Sequence, residues 1–448
     1  MATNTFIERQ RSFCALGGAL LTATALADTV PILHASMGCG TSIYFNQIGS
    51  TGYLGAGYCG GTATPSSNVG ENEIVFGGID RLREQVGNTL KIVEGKLYII
   101  LTGCMTDIIG DDIQAVVREF KAEGAPLIGA ETGGFKGDGY RGYDLLLQAL
   151  FRDFVEQKAE KVKKKVNLWG IVPGQDPFWR GNLRNLSDLL ERLGLQVNTF
   201  FGDDAGLEEL KSAGDAELNI VASRTYGVEA ARVFEEVHGT PFLSTALPIG
   251  PTATAAFLRQ VASAAGVPTG TVEALIAAEA GRYYRHIDRI ADAYNDLDFQ
   301  RYAVVVGDAN YAPALTGFLA NDFGWLPELT VVTDDIPEDR RDPVRTDLAD
   351  LASGYKTGLV FETDTSEVAR HLAAAWPRSN GQRLYDAFSP AFVVGSALDR
   401  EFAIGIGAGH LSVSFPVGNR VVLNRGYAGY EGAMSLIEDL LSVVVAAR

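Results

Sequence analysis

Between residues 96 and 132 the chain reads KLYIILTGC, then DDIQAVVREFKAEG, then APLIGAET. A β-branched run, an amphipathic stretch closing on glycine and a second apolar run predict a strand, a helix and a strand. The same alternation recurs in VNLWGIVPG, GLQVNTFF, ELNIVAS and PFLSTALPIG, and again in RYAVVVGDANY, ELTVVTDD, KTGLVFETD, AFVVGSALD and HLSVSFPVG. Such repetition predicts an α/β chain with mainly parallel sheets and helices on both faces. At 448 residues the chain is too long for one ordinary core. The spacing divides it into units at 1–165, 166–295 and 296–420, followed by a C-terminal helix in 421–448 that packs back on the body. The first unit is predicted to end in a charged helix, FRDFVEQKAEKVKKKV, with Lys158, Lys161, Lys163, Lys164 and Lys165 solvated near its C-terminus.

The formal net charge of -17 disfavours a sequence-blind nucleic-acid binder. The first long apolar stretch, CALGGALLTATALADTVPILHASMGC, is interrupted by Asp28 and preceded by Glu8. It predicts a buried helix followed by a strand, not a membrane anchor, and the chain reads as cytoplasmic. GIGAG at 405–409 is too short for a dinucleotide fingerprint, and no GxxxxGK[ST] is present.

Four cysteines, Cys14, Cys39, Cys59 and Cys104, all fall in the first quarter. Cys14 opens an apolar helix and reads as structural. Cys39, Cys59 and Cys104 lie in loop-like contexts near strand ends, where ligands gather in open parallel sheets. Their spacing matches neither a compact zinc site nor a small ferredoxin. Two readings stand at this point: three small buried hydrophobes, or thiolates converging on iron and sulfide. Gly38 and Gly60, beside Cys39 and Cys59, would let backbone approach an inorganic body. His34 would sit near such a centre. Glu71, Glu73, Asp111 and Asp112 read as helix-start acids. His238, His286, His371 and His410 read as packing or hydrogen-bonding residues.

HASMGCG, ENEIVFGG with DRLREQV after it, LTGCMTDIIGDD, IVPG, LSTALPIG and the tail GYAGYEGAMSLIEDLL occur in this order. Together they resemble the β-type chain of nitrogenase component 1 over nearly the full length. The resemblance implies three Rossmann-like domains, a homologous α-type subunit and an α2β2 heterotetramer. It implies a P-cluster-type [8Fe-7S] cluster at the boundary, with Cys39, Cys59 and Cys104 as this chain's ligands; a [4Fe-4S] cluster is the alternative. Electrons would arrive from an ATP-dependent iron-protein reductase and pass to a cofactor in the α-type subunit. No cysteine follows Cys104, so this chain would relay electrons and hold no catalytic residue. The family's molybdenum enzyme carries a cluster-ligating serine in the segment that here reads ETGGF, with Gly134 at its place. That departure points to the family member that reduces C–S bonds of methylthio-alkanes. A divergent nitrogenase, a cofactor-assembly scaffold and a dark-operative tetrapyrrole reductase are the alternatives.

Overall fold

Three parallel sheets follow one another along the chain. The structure, a computed structural model, describes residues 7–53, 64–202, 205–376 and 391–446. The first sheet contains β1 (Thr29–His34), β2 (Leu97–Thr102) and β3 (Leu127–Ala130) in the order β1-β2-β3. The second contains β4 (Val162–Trp169), β5 (Gln196–Asn198), β6 (Ala216–Val221) and β7 (Phe242–Ser244), ordered β5-β4-β6-β7. The third contains β8 (Tyr302–Gly307), β9 (Leu326–Val332), β10 (Gly358–Phe361), β11 (Ala391–Gly395) and β12 (Gly409–Ser412), ordered β10-β9-β8-β11-β12. Every pairing between these strands is parallel. β1 and β2 are buried throughout, as uninterrupted apolar strands between helical layers should be. No helix among the described residues is long and apolar enough to cross a membrane.

The predicted charged helix at the end of the first unit is corrected. The helix Gly139–Asp153 stops before the lysines, and β4 begins at Val162. Lys161 Nζ donates to the carbonyls of Gly214 at 2.7 Å and His238 at 2.9 Å. Lys165 is buried and pairs with Asp215 at 2.5 Å. An extended backbone lets these two lysines satisfy carbonyl and carboxylate oxygens while Val166–Trp169 enters the sheet; helical geometry would have pointed the run into solvent. The C-terminal helix starts at Gly429, with residues 421–428 preceding it as an irregular segment. Its buried positions, including Tyr430, Ala433, Leu436, Leu440 and Leu441, form one broad face at helical spacing, and Glu431, Glu438 and Ser442 lie exposed on the other, so the packing against more than one side expected from sequence is corrected to one.

Two helices of the first unit meet through glycines. A Cβ on Gly18, in the helix Ala15–Thr24, would lie 1.8 Å from the Gly139 carbonyl oxygen. One on Gly142 would lie 1.9 Å from the Ala15 carbonyl oxygen. Only residues without side chains permit this approach, and it carries the start of the first helix onto the turn after β3.

The second and third units are joined by a buried polar network at strand ends. Asp308, directly after β8, accepts from the N–H groups of Asn310 and Tyr311 and from Ser414 Oγ. Asp334 accepts from Ala309 N–H and the Tyr226 hydroxyl. Asp176 accepts from Phe178 N–H, Asn182 Nδ2 and Tyr311 O–H. Burial pushes the Asp176 carboxyl up to about 7 and raises Asp308 and Asp334 as well.

Candidate functional site

The matched register of β1 and β2 ends both strands at one edge, with His34 opposite Thr102. Helices begin immediately beyond each: Met37–Ser50 after β1 and Cys104–Ile109 after β2. Cys39 lies in the first turn of one and Cys104 is the first residue of the other. Both cysteines thus belong to helix starts, not to the loops predicted for them. Hydrogen bonds lock the two strand ends. Gly103 N–H and Thr106 Oγ1 both donate to the His34 carbonyl, at 2.9 and 2.7 Å. Gly103 must be glycine, because a Cβ there would lie 2.7 Å from Ala35 Cβ.

The turn after β3 closes over Cys104. Thr132 N–H donates to Thr102 Oγ1 at 2.8 Å, and Thr132 Oγ1 donates back to the Thr102 carbonyl at 2.9 Å. Asp107, one turn past Cys104, accepts from Gly133 N–H at 3.1 Å and pairs with Lys136 at 2.8 Å. These ties bring Gly134 N–H to 3.2 Å from Cys104 Sγ, where it donates a hydrogen bond. An N–H donated to a metal-bound sulfur tunes the metal.

Cys14 arrives at the same place. Ala15 N–H donates to the Gly137 carbonyl at 2.9 Å, and Cys14 forms an antiparallel bridge with Asp138. A Cβ built on Gly134 would lie 3.0 Å from Cys104 Sγ, 3.2 Å from Cys14 Cβ and 3.3 Å from Cys14 Sγ. The two sulfurs therefore flank one gap that exists because residue 134 has no side chain. Sequence reasoning read Cys14 as structural and did not place it beside Cys104 and Gly134. The available signal was its setting: like Cys39 and Cys104, it stands at a helix start with glycine nearby. Cys14 and Cys104 are exposed and Cys39 is partly buried. Cys39 Sγ lies 3.4 Å from Ser36 Oγ. Cys59 and Gly60 lie outside the described residues. Among the described residues, no three His, Cys, Asp or Glu side chains are grouped to hold a single ion.

His34 is fully buried and, among the described residues, makes no hydrogen bond to a cysteine. Its Nε2 lies 2.9 Å from Asp111 Oδ2 and its Nδ1 2.9 Å from Ser67 Oγ. With Nε2–H donating to the carboxylate, Nδ1 is left to accept from the serine. Burial lowers the imidazole pKa, against the opposing pull of Asp111. Asp111 also accepts from Gly78 N–H at 3.1 Å. It therefore fastens the end of β1, the segment after Cys104 and the start of the helix Ile79–Ile92. A Cβ on Gly78 would lie 2.6 Å from Asp111 Oδ2, which explains the glycine of FGG. Asp112 caps the next helix through Ala115 N–H, and Glu73 accepts from Gly70 N–H, as expected of helix-start acids. Gly38 is exposed, with no atom near its ideal Cβ.

The elements that carry the cysteines also expose large apolar side chains. Met37 is 73% and Phe45 67% exposed on the Cys39 helix; Ile108 is 72% exposed on the Cys104 helix and Phe135 60% beside Gly134. Exposed apolar side chains also stand elsewhere, Phe76, Ile92 and Leu423 among them, so those beside the cysteines are one of several exposed apolar sets.

The fold and site define a class: three parallel-sheet units with thiols presented on helix starts at the edge of the first sheet. The family model for nitrogenase component 1 type oxidoreductases matches residues 14–444, beginning on Cys14, and the chain belongs to that family as a β-type chain, a subunit of an oxidoreductase complex. It is 25% identical to the nitrogenase molybdenum-iron protein beta chain of Azotobacter vinelandii, over 96% of this chain and 82% of that one. It is 24% identical to the nitrogenase iron-iron protein beta chain of Rhodobacter capsulatus, over 97% and 93%. A molybdenum-iron protein beta chain of Bradyrhizobium diazoefficiens is 27% identical over 67% of this chain, which spans 60% of that relative. The solved structure "Nitrogenase Cp1 at pH 6.5" shares the fold, with a TM-score of 0.80 at 19% identity, covering 100% of this chain and 95% of that one.

Proposed function

We propose that this chain is the electron-relay subunit of a nitrogenase-like reductase and holds one side of an iron–sulfur cluster shared with a homologous α-type chain. The observation that carries the reading is that Cys14 and Cys104 both border Gly134, whose amide donates to the Cys104 sulfur, with Cys39 at the adjoining strand end. The donor set fits such a group: soft thiolates, a backbone N–H directed at sulfur and a gap bounded by glycine. We assign the ligand set Cys14, Cys39 and Cys104 in place of the expected Cys39, Cys59 and Cys104, supported by the nearness of Cys14 and Cys104 to Gly134; Cys59 lies outside the described residues. Cys59 becomes the cysteine whose loss iron binding tolerates.

When bound, the cluster, of the P-cluster type [8Fe-7S] or alternatively [4Fe-4S], supplies one-electron storage and transfer. The chain's own residues do the rest. Cys14, Cys39 and Cys104 would bind it. The Gly134 amide would stabilise charge on the Cys104 sulfur. Met37, Phe45, Ile108 and Phe135 would exclude water once the α-type chain covers them. An ATP-dependent iron protein would deliver electrons, and an α2β2 assembly in the cytoplasm would carry substrate-reducing cofactors in the α-type chains.

The substrate class we assign is small methylthio-alkanes, in which an electron pair and two protons cleave a C–S bond. Gly134, which offers no oxygen ligand, and the 24–27% identity to nitrogenase β chains of the three relatives above support a substrate other than dinitrogen. A divergent nitrogenase is the second reading. The test is anaerobic co-purification with the α-type partner, iron analysis, and assay with the iron protein. Cys14→Ala, Cys39→Ala and Cys104→Ala should each lose interfacial iron, and Cys59→Ala should keep it. Hydrocarbon release from a methyl sulfide supports the assigned substrate; ammonia from dinitrogen as the main product replaces it with the second reading. Wild-type complex without interfacial iron would end the relay assignment.

A further inference from the structure

We propose that Cys14 and Cys104 form a reversible disulfide in the metal-free, unassembled chain, so that the thiol–disulfide state of this pair gates loading of the site. The two thiols come from distant segments. Cys14 follows a strap pinned to the third unit: the Glu8 and Arg9 N–H groups donate to Asp364, and Arg11 pairs with buried Asp399. Cys104 is fixed by the end of β2. Both sulfurs border the space in which a side chain at position 134 would stand, 3.0 and 3.3 Å from its ideal Cβ. Both sulfurs lie within 3.3 Å of one point, so they stand no more than about 6.3 Å apart, and side-chain rotation is the movement a disulfide between them requires. Both cysteines are exposed, so a small disulfide can reach them. Cys39 differs: it is partly buried and its sulfur is engaged with Ser36 Oγ.

The step balances with a small-molecule disulfide such as oxidised glutathione as oxidant. One thiolate attacks it, forming a mixed disulfide and releasing one thiol. The second thiolate displaces the other thiol and closes the protein disulfide. The two cysteines lose two electrons, the oxidant gains them, and the two thiol protons end on the two released thiols. The bond occupies two of the thiolates the site needs, and reduction restores them. Exposed, transient disulfides of this sort suit a reducing compartment.

The experiment uses the full metal-free chain, equilibrated anaerobically in buffers of oxidised and reduced glutathione, alkylated and mapped by non-reducing peptide mass spectrometry. The expected result is one dominant cross-linked pair, Cys14 to Cys104, reversed by reduced glutathione. Gly134→Val, which fills the gap, should lower its yield several-fold, with circular dichroism checking the fold. In Cys59→Ser, which leaves the pair intact, the yield should be unchanged. Cross-links to Cys39 or Cys59, or glutathione adducts on Cys14 and Cys104 without a cross-link, would overturn the proposal. Iron content of the assembled Cys14→Ala complex reads the cluster assignment separately, so either idea can fail while the other stands.

Discussion

Asp111→Ala tests whether the cysteine-bearing strand ends are held by one carboxylate. In the native chain Asp111 accepts from His34 Nε2 at 2.9 Å and from Gly78 N–H at 3.1 Å, and both donors belong to buried residues. Truncation leaves two donors without a partner, at about 1–3 kcal/mol each, for a total of about 2–6 kcal/mol. That is a large share of the ~5–15 kcal/mol that stabilises an ordinary domain. A chain with three units will not unfold in one step, so a global midpoint is the wrong observable. Native-state hydrogen exchange reads the local opening energy instead. Peptides covering β1 and β2 should lose about 2–6 kcal/mol of protection, and peptides from β8 and β9 should be unchanged. His34→Ala alone should cost a similar amount, and the double variant should cost clearly less than the sum of the two. Protection in β1 and β2 unchanged within about 0.5 kcal/mol, or strictly additive variants, would refute the latch.

Three further outcomes follow from other parts of the fold. Gly142→Ala places a Cβ 1.9 Å from the Ala15 carbonyl oxygen; overpacking of about 1–3 kcal/mol should lower the thermal transition and raise protease sensitivity near residue 14. Arg11→Ala leaves Asp399 buried and without its ion-pair partner, at about 3–5 kcal/mol, and limited proteolysis should then cut within residues 7–13 faster than in the wild type. Asp176 has its pKa raised to about 7 by burial, so its proton stays bound in the folded chain over a range where the unfolded chain has released it. Its contribution to stability is present below pH 4 and is lost as pH rises through 7, with a slope of up to about 1.4 kcal/mol per pH unit. Asp176→Asn should flatten that decline in denaturation curves between pH 5 and 8.

The strands were legible because buried parallel strands are written as short uninterrupted apolar runs, and LYIILT and YAVVVG appear in the structure as β2 and β8. The run KVKKKV misled, since the lysines look solvated until the carbonyls of Gly214 and His238, contributed from elsewhere in the second unit, are seen to receive Lys161. The same distance hid Cys14. Its neighbour Gly134 lies far along the chain, and what joins them is helix contact through Gly18 and Gly142, which sequence spacing does not reveal. Cys104 was legible because it stands where an apolar strand ends, and its amide partner, Gly134, was named from resemblance before its geometry was known. The buried Asp176, Asp308 and Asp334 gave no signal, because acids beside strand ends usually read as helix caps.

The most direct measurement is a crystal of the anaerobic complex with its α-type partner, with diffraction recorded on both sides of the iron absorption edge. The account predicts iron peaks within bonding distance of the Cys14, Cys39 and Cys104 sulfurs, at a boundary lined by Met37, Phe45, Ile108 and Phe135. Those three sulfurs standing free of iron at an otherwise complete interface would contradict it.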